Sequence, residues 1–351
     1  MVDPSRPRIL VIRRRYLGDI VLLGPVFRNL RLHWPAAHLA ALVEVAYAPV
    51  LSMNPDVDET LSLPRRAREW PAFLRALRRG AFTHVLDLDN NDRTAWITWW
   101  SGAAVRIALW HEGGAARWRR AYTASVHDLP AVHESRSIVD YYLSVLEAVE
   151  VPVVTREVVL VPRSSDRDAM AALAPPGTSK LLIHPGSRSA WRIWPAANFA
   201  AVADAVQGTL GVPVLLVGGP SEAPLLREIQ SRARLPVGGI DTALSVPHFA
   251  ALASHFDLLL CHDSGPMHVA AAVGTRVVAL LGSQNPVLFA PPGQGQVVIR
   301  PPLPCVTCTT PGECQPGDSY RNRCVQNISV ATVLHAIASH FGGERSKIAR
   351  Q

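Results

Sequence analysis

No run of 18 or more uninterrupted apolar residues occurs in the 351-residue chain, which argues against a membrane-spanning helix. The segment Met1–Arg8 has no apolar signal region and no small-residue cleavage site ahead of the first apolar strand, so a cytoplasmic protein is expected. No long basic run and no nucleic-acid-binding signature is present, which sets nucleic acid aside as a partner. Lysine is nearly missing: of 35 Lys and Arg residues, only Lys180 and Lys347 are lysines. The loop after the first strand lacks a full G-x-G-x-x-G, so a dinucleotide fingerprint is not supported. Cysteine is scarce, with five in the chain. Cys261 falls in an apolar run and reads as inert packing.

What is present is an ordinary globular composition, 48% apolar and 18% charged. The length exceeds one typical core and predicts two domains. The net charge of +7 is carried almost wholly by arginine, the better bidentate partner for phosphate and carboxylate. It suits an anionic partner such as a phosphorylated glycan, a nucleotide or an acidic membrane surface. Genomic base composition explains the arginine preference equally well.

Short apolar runs at Arg8–Ile12, Leu39–Val43, Thr83–Leu88 and Val105–Leu109 alternate with helical patterns. These are a helix from about Asp19 to His33, one from Trp70 to Arg79, one after Asn90-Asn91-Asp92, and one from His133 to Val149. The pattern restarts with strands at Lys180–His184, Val212–Val217, Asp257–Cys261 and Arg276–Leu281, again separated by helices. Such alternation marks an α/β chain with doubly wound parallel sheets. The expected organisation is two Rossmann-like domains, residues 1–160 and 161–351, joined by a linker over Glu150–Asp168. Ligands of such sheets lie outside the carboxyl ends of the strands, so the expected site is the cleft that two such sheets would face.

Four strand-end loops carry the polar residues. Leu258–Cys261 runs through Asp263-Ser264-Gly265-Pro266-Met267-His268 into a small-residue helix. Ser264 is placed to cap that helix, and the helix N-terminus is suited to an anion. An ordinary strand–helix turn is the alternative. The loop His184–Pro195 combines Gly186, Ser187, Arg188 and Arg192, able to cradle a phosphate and clamp it with guanidinium groups. Gly218–Glu222 lies beside these loops and offers Glu222 to a base or ribose. The loop Arg13–Gly18 contains Arg15 and leads to Asp19, a candidate general base whose alternative role is capping. The loop Asp87–Arg93 places Arg93 in the first turn of its helix, unfavourable for a cation and hinting at an anionic partner, with a solvated arginine as the alternative.

In order along the chain, Ile9–Pro25, His184–Pro195 and Asp263–His268 resemble the motifs of glycosyltransferase family 9, the heptosyltransferases of lipopolysaccharide core assembly. The resemblance covers about Arg8 to Phe341. It implies a GT-B fold and inverting, metal-independent transfer from a nucleotide diphosphate sugar, typically ADP-heptose. It implies that residues 1–160 bind the acceptor and residues 161–351 the donor. By matching position, Asp19 would be the general base. Arg192 stands where the family commonly has lysine at the donor phosphates. Asp263, Ser264, Gly265, Met267 and His268 would line the diphosphate and sugar, with Ser187, Arg188 and Glu222 beside them. Arg93 stands where relatives meet the acceptor's phosphates, and Arg15 is grouped with it.

Inherited expectations extend to an anionic, lipid-linked glycan acceptor and transient contact with the inner face of the inner membrane. Trp96, Trp99, Trp100, Trp110 and Trp118, with nearby arginines, form a candidate membrane-facing surface or, equally, core packing. No cofactor is expected for catalysis. Cys305, Cys308, Cys314 and Cys324 read C-x2-C-x5-C-x9-C, and some relatives carry four cysteines here. They are a candidate structural zinc or iron site, with a compact loop of reduced cysteines as the alternative. Protein O-heptosyl transfer and non-catalytic sugar-nucleotide or glycan binding are the competing functions.

Overall fold

The computed structural model describes residues 6–110, 116–127, 135–282, 284–301, 303 and 324–348. The chain divides into two compact units, Met1–Val161 and Pro162–Gln351. Each contains one six-stranded sheet, parallel throughout.

The first unit holds β1 (Arg8–Ile12), β2 (His38–Glu44), β3 (Glu59–Leu63), β4 (His84–Asp87), β5 (Val105–Trp110) and β6 (Ala124–His127). They lie in the order β3-β2-β1-β4-β5-β6. The second holds β7 (Leu181–His184), β8 (Val214–Val217), β9 (Gly238–Ile240), β10 (Leu258–His262), β11 (Arg276–Leu280) and β12 (Val297–Ile299). Their order, β12-β11-β10-β7-β8-β9, is the same doubly wound arrangement traversed from the other edge. The central strands are buried on both faces, as a parallel sheet covered by helices requires. Leu181, Ile183, Leu258 and Leu260 feed one core with Trp194 and Phe199, while Leu182, Leu259 and Cys261 are buried on the opposite face.

The order of the strands positions the loops. Ile12 ends β1 in register with Asp87 of β4, so the chains leaving at Arg13 and Leu88 depart side by side. In the second unit Cys261 of β10 pairs with His184 of β7, and the loops that follow are neighbours in the same way. Both pairs flank the point where strand order reverses, the place where doubly wound sheets bind ligands.

The structure departs from the expected elements in four respects. The helix expected from Asp19 to His33 is two, Leu17–Leu22 and Gly24–His33, because Pro25 has no N–H to continue the first. The stretch read as linker runs into a helix, Ser164–Ala171, with Asp166 favourably placed in its first turn. The helix expected from His133 to Val149 is Ile138–Leu143 followed by a 3₁₀ turn, Ser144–Val149; residues 128–134 lie outside the described residues. Strands β3, β6, β9 and β12 were not anticipated.

The tryptophans do not assemble into one outward surface. Trp96 and Trp100, four residues apart on one helix, stack at 5.7 Å between ring centroids and pack with Trp70 against the first unit's core. Trp110 and Trp118 cover a smaller cluster around Ala108 and Tyr122. Trp99 is the one of the five that is exposed, at 52%. Among the described residues, no helix is long and apolar enough to cross a membrane.

Candidate functional site

At the end of β1, Asp19 is the third residue of the helix Leu17–Leu22. Its Oδ2 accepts the Tyr16 amide at 2.8 Å, so it does cap the helix. Its Oδ1 accepts from Arg13 Nη2 at 2.8 Å and from the Tyr142 hydroxyl. Burial alone would raise this carboxyl. The Arg13 charge, together with the hydrogen bonds from Tyr142, Tyr16 and Arg13, outweighs burial and holds Asp19 below the usual carboxylate range. Arg13 also reaches Asp89 Oδ1 and the Leu88 carbonyl, each at 3.2 Å. Arg14 donates to Asp89 Oδ2 at 2.6 Å through Nε and at 3.0 Å through its amide. The carboxyl ends of β1 and β4 are thereby stitched by charge.

Arg15 and Arg93 are both exposed. The Arg15 guanidinium lies over the Tyr16 ring at 5.1 Å. Arg93 lies in the first turn of Asp92–Ser101, whose N-cap Asn91 accepts the Arg93 amide at 3.1 Å.

In the second unit, β10 turns at Asp263 into the helix Gly265–Ala272. Ser264 occupies the N-cap position but does not cap through its side chain, contrary to expectation. Its hydroxyl donates back to the His262 carbonyl at 3.2 Å, bracing the turn instead. Opposite stands Arg192. Its Nη1 is 3.5 Å from Asp263 Oδ2, and its guanidinium lies 4.7 Å from the Trp191 ring centre. With the Gln284 amide turned so that its oxygen faces the guanidinium, that oxygen accepts from Nη1 at 3.2 Å and also from Nη2. The buried Arg192 Nε has no hydrogen-bond partner among the described residues. Burial pushes Asp263 up to about 6, against the pull of Arg192.

The neighbouring loop is held by histidines that sequence reasoning did not single out. The Trp194 amide donates to His262 Nε2 at 2.9 Å, and the Trp194 indole donates to the Ile328 carbonyl at 2.9 Å. Burial drives His262 down to about 3, so it is neutral and able to accept. Gly186 and Glu222 are packed together: a Cβ at Gly186 would lie 1.5 Å from Glu222 Oε1, so the glutamate side chain would have to move. Glu222 Oε2 in turn accepts the Gly219 amide at 2.7 Å and lies 3.8 Å from His184 Nε2. Burial lowers His184, with Glu222 opposing.

Ser187 is half-buried and Arg188 exposed on the same loop. His268 is buried one turn into the helix. Met267 is fully buried, and its amide donates to the Ser264 carbonyl at 3.1 Å, so it packs the turn rather than presenting polar groups. Asp263, Ser264 and Arg192 are thus brought to one switch point, with Glu222 and Gly186 packed together beside it. Cys305, Cys308 and Cys314 lie outside the described residues; Cys324 is buried in a 3₁₀ turn, Cys324–Asn327. Arg13, Asp89, Tyr142 and Gln284 are the residues missed. The register of β1 on β4 would have paired the arginines with Asp89, but nothing local marks Tyr142.

Comparison with known proteins gives concordant results. The family model described as glycosyltransferase family 9 (heptosyltransferase) matches residues 70–315. The chain is similar to lipopolysaccharide heptosyltransferase 3 of Escherichia coli, 28% identical over 291 residues, covering 79% of this chain and 84% of that protein. Its fold is similar to that of the family 9 glycosyltransferase from Veillonella parvula DSM 2008, with a TM-score of 0.81 at 22% identity over 97% and 98% of the two chains. It is also similar to E. coli ADP-heptose lipopolysaccharide heptosyltransferase II, with a TM-score of 0.77 at 20% identity over 96% and 99%.

Proposed function

This chain belongs to glycosyltransferase family 9 and has the GT-B fold, and from that premise we propose that it is an inverting heptosyltransferase, moving a heptose from ADP-heptose to a lipopolysaccharide-core or similar glycan. The names of its relatives support the sugar and the class of acceptor. The observation that carries the reading is the set of polar groups gathered at the β7/β10 switch point. The helix N-terminus has no side-chain cap, Arg192 reaches the same turn through Nη1 at 3.5 Å from Asp263, and the buried Arg192 Nε–H has no partner among the described residues. Helix terminus and arginine are both suited to a diphosphate.

In this reading Asp19 accepts the proton of the acceptor hydroxyl. That oxygen bonds to the anomeric carbon as the carbon–oxygen bond to the diphosphate breaks from the opposite face. The leaving diphosphate keeps the electron pair. Arg192 and the helix N-terminus stabilise its growing charge, the task a divalent metal performs in other transferases. Asp263, Ser264, Gly265 and His268 hold the diphosphate and sugar, Glu222 the nucleoside, and Ser187 and Arg188 flank them. Exposed Arg15 and Arg93 meet anionic groups of a lipid-linked acceptor, reached by transient contact with the inner membrane from the cytoplasmic side. The four cysteines take no part in transfer; they stay a candidate structural zinc or iron site.

Purified protein offered ADP-heptose, UDP-sugars and GDP-sugars with a heptose-deficient core acceptor tests the reading. Transfer from ADP-heptose is expected to exceed the others by about 10²-fold or more in kcat/KM, since a nucleoside pocket rejects a base that leaves its polar groups unpaired. Tight binding of ADP-heptose with no transfer to glycan or peptide would leave a binding protein, and transfer to peptide alone a protein O-heptosyltransferase.

Gly186→Ala is expected to weaken ADP binding about tenfold, the worth of one charge-assisted hydrogen bond, while stability changes by less than about 1.5 kcal/mol. The new methyl displaces Glu222, a flexible side chain, rather than backbone. Calorimetric titration with ADP, alongside thermal unfolding, separates the two effects. A large loss of stability with unchanged affinity would remove Glu222 from the donor site.

A further inference from the structure

We propose that Tyr142, acting with Arg13, is the positioning residue that aims Asp19 and sets its strength as a base. The inference rests on Asp19 being the base. The two carboxylate oxygens are unequally occupied. Among the described residues, Oδ1 takes both the Tyr142 hydroxyl and Arg13 Nη2, whereas Oδ2 takes the Tyr16 amide alone. Oδ1 is therefore saturated, and Oδ2 keeps the lone pair that receives the acceptor's proton.

Tyr142 is fully buried on the helix Ile138–Leu143, fixed at its start by Ser137, whose hydroxyl accepts the Asp140 amide at 3.1 Å. It reaches Asp19 across 123 residues of sequence. Burial and the adjacent Asp19 push its hydroxyl well above the ordinary tyrosine range, so it remains a donor. Arg13 lies 5.3 Å from the Tyr142 ring centre. Its charge is shared with Asp89, but Asp89 is also paired with Arg14, which leaves Arg13 available to Asp19. The groups bearing on Asp19 are thus Arg13 and the Tyr16 amide from its own loop, Tyr142 from a distant helix, and Asp89 beyond Arg13. The two side-chain donors favour the ionised form, so the base is pre-formed and held in one orientation.

The test is kcat/KM for the acceptor, at saturating ADP-heptose, from about pH 4 to 9. The wild type is expected to hold its rate toward the acid end. In Tyr142→Phe, which preserves the packed ring, the acid limb moves up by about one to two pH units, the worth of a hydrogen bond to a charged group. The rate falls at pH 5 and recovers toward wild type at pH 8, and the KM for donor is unchanged. Arg13→Lys, which keeps the charge but not the geometry, moves the limb in the same direction and by less, and carries the test should the phenylalanine variant fail to fold. Superimposable profiles for these variants, with only the melting temperature altered, would overturn the inference. Asp19→Asn in the same series separates the failures: if it turns over normally, the base assignment falls, and if it is inactive while the profiles coincide, only the role of Tyr142 and Arg13 falls.

Discussion

Asn in place of Asp19 is expected to reduce kcat roughly 10³-fold, the usual worth of a positioned general base. The Kd for ADP is expected to stay within about twofold, as for a group that acts only in the transition state. The substitution is sharp because the carboxylate has two separable jobs. It caps its helix by accepting the Tyr16 amide, and an asparagine oxygen accepts that bond equally well. In the proposed reaction it also takes up a proton, which asparagine does not. The partial loss of the pair with Arg13 costs about 1–3 kcal/mol of stability, moderated because Arg13 keeps Asp89 and the Leu88 carbonyl. Stability also carries a pH signature. Asp19 is held low in the folded state, so its contribution is present above the ordinary carboxylate range and is lost as pH falls through its lowered value. Asp19→Asn removes that acid-side dependence. A variant whose rate falls only with its folded fraction would show a cap and nothing more.

How far the sequence led is clearest at the sheets. The strands recognised from apolar runs, β1, β2, β4, β5, β7, β8, β10 and β11, are the interior strands. Being covered on both faces, they must be continuously apolar, and that signal is strong. The four not anticipated, β3, β6, β9 and β12, are the two edges of each sheet. Ala124–His127 is largely exposed and Gly238–Ile240 is three residues long, so burial writes no pattern into them.

The candidate site divides along a similar line. Residues in the segments that follow strands, such as Asp19, Arg192 and Asp263, announce themselves as polar breaks after apolar runs. Their partners do not. Tyr142 looks like any aromatic residue on a helix, and Gln284 like any loop glutamine, until tertiary structure brings them to Asp19 and Arg192. Ser264 shows the converse: a serine before Gly-Pro signals a helix cap, yet its hydroxyl turns back to His262. The cap signal reported the boundary and missed the consequence, a helix terminus without a side-chain cap.

That terminus and Arg192 give the second large effect. Arg192→Ala is expected to lower kcat/KM about 10²–10³-fold, since under the proposed reading it removes a preorganised charge aimed where the diphosphate develops its own. Arg192→Lys should recover part of this, leaving a loss of roughly tenfold. Lysine restores the charge but neither the planar fork nor the Nε–H. The geometry argues that Arg192 is poised rather than satisfied. Its contact with Asp263 is long at 3.5 Å, and Asp263 is pushed up to about 6, so that pairing is weak. Gln284 steadies the terminal nitrogens, while the buried Nε–H lacks a partner among the described residues. A buried donor left unpaired costs stability until an acceptor arrives, and a diphosphate bound as proposed would supply that acceptor. Relief of the unpaired Nε–H offsets part of what Arg192→Ala loses at Gln284 and Asp263, so the variant should be only slightly less stable than wild type without ligand, yet lose most of the rise in melting temperature that ADP gives wild type. A variant that melts lower but keeps the full ADP-dependent rise would make Arg192 a structural residue of the loop, and the anion site would rest on the helix terminus alone.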